Sequence, residues 1–162
     1  MKKDEKIMND LWNLFNKKIW LEKEELKEQL KGYTPSEVHT IEYIENAEDP
    51  NVTKLADYFY VTRSAMSKIT TKLINKKLIE RYQKAENKKE IYFQLTEKGK
   101  SIYNMHENLH QKFQQRDKKI FDNMSDEQFK NIIMFTEEYN KHLENEIQNL
   151  GVDAKSGNLD NF

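Results

Sequence analysis

Two sets of side chains in this sequence carry most of its chemical potential. The first lies within residues 62–77. Ser64, Ser67, Lys68 and Thr71 recur at helical spacing, nearly opposite Met66, Ile69 and Leu73. Small hydroxyls and a cation on one exposed helix face suit close approach to base edges and phosphates. The second set is histidine. His106 and His110 are four residues apart and share one face of a helix, while His39 falls in the first turns of an earlier one. His106 also sits near the centre of an apolar stripe, where a histidine is commonly packed and hydrogen-bonded. The residues alone therefore leave a ligand role and a structural role both open. His142 reads as a surface residue.

The elements that must position these residues are mostly helices, because only 4 Gly and 2 Pro interrupt 162 residues. Residues 5–31 read as a long helix, with Met8, Leu11, Phe15 and Ile19 at helical spacing and Trp12 and Leu26 nearby, ended by Gly32. Thr34-Pro35-Ser36-Glu37 is a capping box with proline at the first helical position, so a second helix starts there, buries Val38, Ile41 and Ile44, and closes at Asp49-Pro50. A short third helix covers Val52 to Phe59. Tyr60-Val61-Thr62 then leads tightly into a fourth, with Thr62 as its N-cap. A short helix, a tight turn and an amphipathic helix make a helix-turn-helix.

Ile79 to Tyr82 and Ile91 to Leu95 read as two strands around a polar tip, Gln83 to Glu90. In the second strand Ile91, Phe93 and Leu95 alternate with Tyr92 and Gln94, which predicts one buried face. Such a hairpin directly after a helix-turn-helix is a wing, with Lys84, Lys88 and Lys89 expected at its tip. Thr96 caps a fifth helix to about Asn123, whose inward face is expected to carry Ile102, Met105, Leu109, Phe113 and Ile120. Ser125 to Gln128 is a second capping box and opens a sixth helix, with Met124 and Phe129 placed as a hydrophobic staple and an apolar seam reaching Leu150.

The expected fold is mainly α with a small β-hairpin: a winged helix-turn-helix with six helices and a dimerisation region from the N- and C-terminal helices. Its expected divisions are 1–33 for the N-terminal dimerisation helix, 34–97 for the DNA-binding region, 98–150 for the C-terminal dimerisation helices and 151–162 for a disordered tail.

Composition narrows the function classes. Hydrophobic residues are 36% and charged residues 34%, lean for a single compact core and suited to an elongated helical chain that buries apolar surface against a partner. The formal charge of −1 hides a segregation. Thr62 to Lys100 holds eleven basic residues against four acidic ones, a net +7, and the remainder carries −8. A basic centre between acidic flanks is the footprint of a module that meets phosphates. Without cysteine, disulfides, thiolate zinc sites and cysteine nucleophiles are excluded. No glycine-rich phosphate loop and no spaced acid, base and nucleophile set stands out, so an enzyme is not expected. No apolar run reaches membrane-span length and the start MKKDEKIMND lacks a signal-peptide core, so the expected location is cytoplasmic, away from membranes.

Helix, helix, helix-turn-helix, wing and two long helices, in that order, resemble the MarR family of bacterial regulators over roughly residues 6–150. The resemblance is carried by Val52-Thr53-Lys54-Leu55-Ala56, Val61-Thr62-Arg63-Ser64, Leu78-Ile79-Glu80-Arg81 and Leu95-Thr96-Glu97-Lys98-Gly99. It implies a homodimer, built by helix 1 with helices 5 and 6, that binds a palindromic operator on double-stranded DNA as an effector-responsive repressor. The expected DNA contacts are Arg63, Ser64, Ser67, Lys68, Thr71 and Lys72 for the major groove and its phosphates, with Lys88 and Lys89 for the wing. The family's wing usually carries Asp-x-Arg; Asn87 and Lys89 stand at those places here, which keeps charge but not a planar fork locked by a carboxylate. Lys77 stands where the family usually has the glycine that ends the recognition helix.

The resemblance also bears on an effector. One histidine on helix 2 and an i, i+4 pair on helix 5 are similar to the zinc-sensing branch of the family, which makes His39, His106 and His110 candidate metal ligands. A carboxylate from helix 1 or its following loop completes that site in the branch, and Glu22, Glu24, Glu25 and Glu28 are the candidates here, with the fourth ligand unplaced. Glu37 to Ile41 together with His106 and His110 is equally similar to the family's fatty-acid-synthesis repressors, which respond to acylated carrier protein or acyl chains. Trp12, Phe15 and Phe113, with Trp20, would suit such a chain, giving an effector pocket of Trp12, Phe15, His39, His106, His110 and Phe113. Small-molecule, metal and acyl-carrier effectors all remain expectations. The alternative to DNA binding is a helical protein-interaction module on the same fold.

Overall fold

The computed structural model describes residues 2–150; the tail expected at 151–162 lies outside them. Eight elements follow in order: α1 (Lys3–Gln29), α2 (Pro35–Asn46), α3 (Val52–Tyr58), α4 (Arg63–Asn75), β1 (Ile79–Lys84), β2 (Asn87–Leu95), α5 (Glu97–Phe121) and α6 (Asp126–Leu150). Six helices and one antiparallel hairpin make the mainly helical winged helix-turn-helix that the sequence pattern implies.

The helix starts are set by side chains that satisfy orphan backbone N–H groups. Thr34 Oγ1 accepts from Glu37 N–H at 3.2 Å while Glu37 Oε2 accepts from Thr34 N–H at 3.0 Å. Asn51 caps α3, Thr62 caps α4 and Thr96 caps α5, each through a side-chain oxygen that accepts from the N–H three residues on. Ser125 and Gln128 form the reciprocal box that opens α6. The Phe129 ring stacks on Phe121, 6.3 Å between centroids, across that turn.

Both helices of the helix-turn-helix end on a residue with left-handed backbone. Tyr60 has φ 53° after α3, and Lys77 has φ 59° after α4. Each closes a Schellman motif. Val61 N–H donates to Ala56 C=O at 3.0 Å, and Leu78 N–H donates to Leu73 C=O at 2.9 Å. The left-handed ending is thus kept at Lys77 without glycine, at a cost of about 1 kcal/mol.

The core lies under α2, α3, α4, the base of the hairpin and the first half of α5. Ile41, Leu55, Met66, Leu73 and Leu78 are fully buried there, and Leu26 and Leu30 from the end of α1 join them. Each such side chain contributes about 1.5–3 kcal/mol through removal of apolar surface from water. Gly99 fits the first turn of α5 against this core, because a Cβ there would stand 2.0 Å from the Leu78 carbonyl oxygen.

Four expectations about local structure need correction. The hairpin is longer than its apolar residues suggest. β1 and β2 pair from Ile79↔Leu95 out to Lys84↔Asn87, so only Ala85 and Glu86 form the turn. Lys84, Lys88 and Lys89 are therefore strand residues, not tip residues. Polar side chains do not stop a ladder whose bonds come from backbone, and here the pairing continues past a register shift between Tyr82 and Lys84. Second, burial in β2 does not alternate cleanly. Ile91 is 44% exposed because the strand has by then passed the edge of the core. Tyr92 is buried on the opposite face, under the Tyr82 ring (5.4 Å) and the Lys84 ammonium (5.7 Å). Third, Met105 and Ile120 on α5 are exposed; Ile102, His106, Leu109 and Phe113 form the inward stripe, with histidine taking an apolar position. Fourth, α2 ends at Asn46 rather than at Asp49-Pro50, where Asp49 turns the chain with φ 50°.

Candidate nucleic-acid interface and effector cluster

The polar face of α4 is set by the burial of its other side. Met66, Ile69, Thr70 and Leu73 are buried, and this leaves Arg63, Ser64, Ser67, Lys68, Thr71 and Lys72 exposed together. The structure thus brings the six side chains expected for the major groove onto one accessible surface. Lys88 and Lys89 are exposed on β2.

The hairpin is held along its length by the segment that follows α2. Tyr82 Oη donates to Asp49 Oδ1 at 3.2 Å, and the Lys84 ammonium pairs with Asp49 Oδ2. The Lys84 ammonium beside it holds the Asp49 carboxyl below the usual range. Phe93 N–H also donates to Pro50 C=O at 2.9 Å. Lys84 therefore spends its charge on the hairpin's own anchorage. At the outer end, Asn87 Oδ1 accepts from Lys89 N–H at 3.3 Å. This contact engages only the Lys89 backbone, and the residue is exposed.

The histidines converge. α2 carries His39 and α5 carries His106 and His110, with His106 only 2% exposed. Glu42, one turn after His39, joins them. Its Oε2 lies 3.1 Å from His106 Nε2 and 3.5 Å from His39 Nδ1, and its Oε1 lies 3.9 Å from His110 Nε2. His110 Nε2 is 2.8 Å from His106 Nε2. Hydrogen bonds from His106 and His39 hold the Glu42 carboxyl far below its ordinary range, so it is an anion. Burial, then the neighbouring His106, push the His110 imidazole down toward its neutral form.

The donor set is over-subscribed. His106 Nε2 has one position for a proton, yet it faces both a carboxylate oxygen and a second imidazole nitrogen. Its Nδ1 is buried without a partner among the described residues. One cation in place of that proton would give each facing atom a bond of its own. His39, Glu42 and His106 bring ligand atoms within 4.8 Å of one another. Tetrahedral zinc ligands stand on the order of 3.3 Å apart, close to the 3.1 and 3.5 Å separations about Glu42 Oε2. Borderline imidazole and carboxylate donors fit zinc.

Sequence reasoning missed Glu42, although its i, i+3 spacing from His39 was the available signal. Of the four α1 carboxylates that were candidates, Glu22 pairs with Lys18 and Glu25 lies 3.7 Å from Arg116, while Glu22 is also near enough for its charge to act on His110. Of the wider effector pocket, Phe113 packs edge-on to His110 at 6.2 Å, whereas Trp12 and Phe15 are exposed on α1. A groove of about 660 Å³ instead opens beside the cluster, lined by Glu42, Tyr43, Tyr58, Phe59 and Tyr60. The run Tyr58-Phe59-Tyr60 was its only sequence signal.

A capped, amphipathic second helix of a helix-turn-helix, followed by an anchored basic hairpin, defines the class: a winged-helix protein. The MarR family model matches residues 33–91. The HTH-type transcriptional regulator PchR of Bacillus subtilis (strain 168) is 37% identical over 109 residues, 67% of this chain and 64% of that protein. The HTH-type regulator YhjH of the same organism is 36% identical over 104 residues, 64% of this chain and 57% of that protein. The chain thus matches less than two thirds of the length of either relative. Among solved structures, Streptococcus pneumoniae FabT in complex with DNA superposes with a TM-score of 0.76 at 25% identity, covering 88% of this chain and 99% of that one. The adhesin competence repressor AdcR of Streptococcus pyogenes shares the fold, with a TM-score of 0.62 at 20% identity over 88% of this chain and 99% of that one. The chain belongs to the MarR family.

Proposed function

We propose that this chain is a DNA-binding transcription regulator that grips duplex DNA as a homodimer and responds to an effector at the α2–α5 cluster. The carrying observation is the surface of α4. Three small hydroxyls (Ser64, Ser67, Thr71) and three cations (Arg63, Lys68, Lys72) are exposed on it, with Lys88 and Lys89 on the neighbouring strand. Hydroxyls and cations of this kind position on phosphates and read base edges. FabT, similar over nearly its whole length, was solved with DNA bound. The second copy is called for by α6, which buries no residue within the chain, and by Trp12, Phe15, Ile19 and Trp20 exposed on α1. The effector best supported by the cluster is a divalent metal ion of zinc type, held by His39, Glu42 and His106, with His110 beside them. Such an ion supplies positive charge at the seam between α2 and α5.

The test is duplex binding by fluorescence anisotropy, using the region upstream of the protein's own gene across a range of salt. Tight binding with a steep salt slope is expected. Replacing Lys68 and Lys89 together with Ala removes four cations from a dimer and should flatten the log–log slope by about 3–4 units if each meets a phosphate. An unchanged slope sinks the assignment of these residues. Weak binding without sequence preference, seen only at very low salt, favours a protein-interaction module instead.

A further inference from the structure

Lys76 stands at the C-cap of α4, inside the most basic stretch of the chain. Its ammonium does not face outward. It lies 2.9 and 2.7 Å from the two carboxylate oxygens of Glu37, donates to Gly32 C=O at 3.0 Å, and sits 5.1 Å over the Tyr33 ring. Glu37 is only 4% exposed and belongs to the first turn of α2, where the same Oε2 also accepts from Thr34 N–H. One lysine thereby ties the end of α4 to both the α1–α2 turn and the start of α2.

Helix termination does not require this arrangement. α4 already ends in the Schellman motif at Lys77 and Leu78, and Thr96 Oγ1 and Lys98 Nζ donate to the Lys77 and Lys76 carbonyls. Solvation does not explain it either, since a lysine is more cheaply placed in water than against a buried carboxylate. What the pair does is geometric. Glu37 lies two residues before His39 and five before Glu42 on one unbroken 12-residue helix. A shift or rotation of α2 that follows from filling the cluster moves Glu37 with it. Lys76 is the ion-pair partner through which Glu37 reaches the helix that carries the hydroxyl face.

We infer that Glu37 and Lys76 are positioning residues that transmit the state of the His39–Glu42–His106–His110 cluster to α4. The inference rests on the effector reading above. Glu37 lies outside the group of cluster ligands, and the Lys76 ammonium is turned onto Glu37 rather than onto the exposed face of α4. Lys76 is accordingly not one of the cations that neutralise phosphate.

The experiment uses the full chain and the upstream duplex, with Zn²⁺ as probe. Zinc binding is measured by titration calorimetry, and DNA affinity with and without zinc by anisotropy. Lys76→Met alone leaves a buried carboxylate unpaired and endangers folding, so the informative variant is the double Glu37→Gln/Lys76→Met, with its fold checked by thermal melt. In the unaltered chain zinc should change DNA affinity by about five-fold or more. The double variant should bind zinc as before, and the ratio of its two DNA affinities should fall to near one. A double variant that keeps the full zinc response overturns the inference, as does a chain that binds zinc with no change in DNA affinity. If no zinc binds at all, the metal reading fails on its own. The link is then read from Glu42→Gln, which breaks the cluster: its effect on DNA affinity must be present with the Glu37–Lys76 pair and absent without it. Equal effects in both backgrounds, or no effect in either, overturn the link.

Discussion

The segment from α2 to β2 and the pair α1 and α6 treat apolar residues in opposite ways. In the first, nearly every periodic apolar residue is covered by its own chain, from Val38 through Leu95. In the second, α6 covers none of its 25 residues, and α1 buries only Leu26 within its helical span. Both regions show the same sequence signal, an apolar stripe at helical spacing. The stripe states that something must cover the helix; it does not state whether the cover comes from the same chain. The first region is a finished fold that presents a surface, and the second leaves its apolar stripes uncovered by its own chain.

The largest expected effect breaks that contrast at its weaker side. Charges on the α6 seam, Ile132→Glu with Leu143→Glu, should convert a dimer wholly to monomer by sedimentation velocity. An unaltered chain that sediments as a monomer at micromolar concentration would remove the contrast altogether. Next, Leu73→Ala should cost about 2–5 kcal/mol in a denaturant melt, because Leu73 is fully buried in the finished core. The same truncation at exposed Leu14 on α1 should cost far less once the dimer is dissociated. Gly99→Ala should cost roughly 1–3 kcal/mol, since the added methyl meets backbone at Leu78 rather than a side chain free to move. The smallest change has the opposite sign. Lys77→Gly should stabilise the chain by about 0.5–1 kcal/mol in the same melt, because φ 59° is free of strain only without a side chain.

Most helix starts were legible in the sequence because capping is local. Thr34, Thr62, Thr96 and Ser125 each mark a helix start, and each bonds the backbone N–H three residues on. The polar face of α4 was legible for a related reason: the burial of Met66, Ile69 and Leu73 fixes where Ser67, Lys68 and Thr71 point. The outer part of the hairpin is not legible in the sequence, because its ladder is built from backbone between polar residues, which leaves no apolar signature. The effector cluster was half legible. The His106–His110 spacing is visible within one helix, but Glu42 acquires its meaning only when α2 packs on α5, 64 residues away in sequence. By charge alone Lys76 belongs with the basic residues of a DNA-facing stretch. Its engagement by buried Glu37, 39 residues away, is a tertiary fact that charge counting cannot contain.

The central claim is that two copies of this chain place α4 and the hairpin on one face of duplex DNA. Hydroxyl-radical footprinting of the full chain on its own upstream region tests it most directly. The expected result is two equivalent protected patches about 34 Å apart, one helical turn, lost together when Lys68 and Lys89 are replaced by Ala. A single patch, or uniform protection that ignores sequence and survives that replacement, would contradict it.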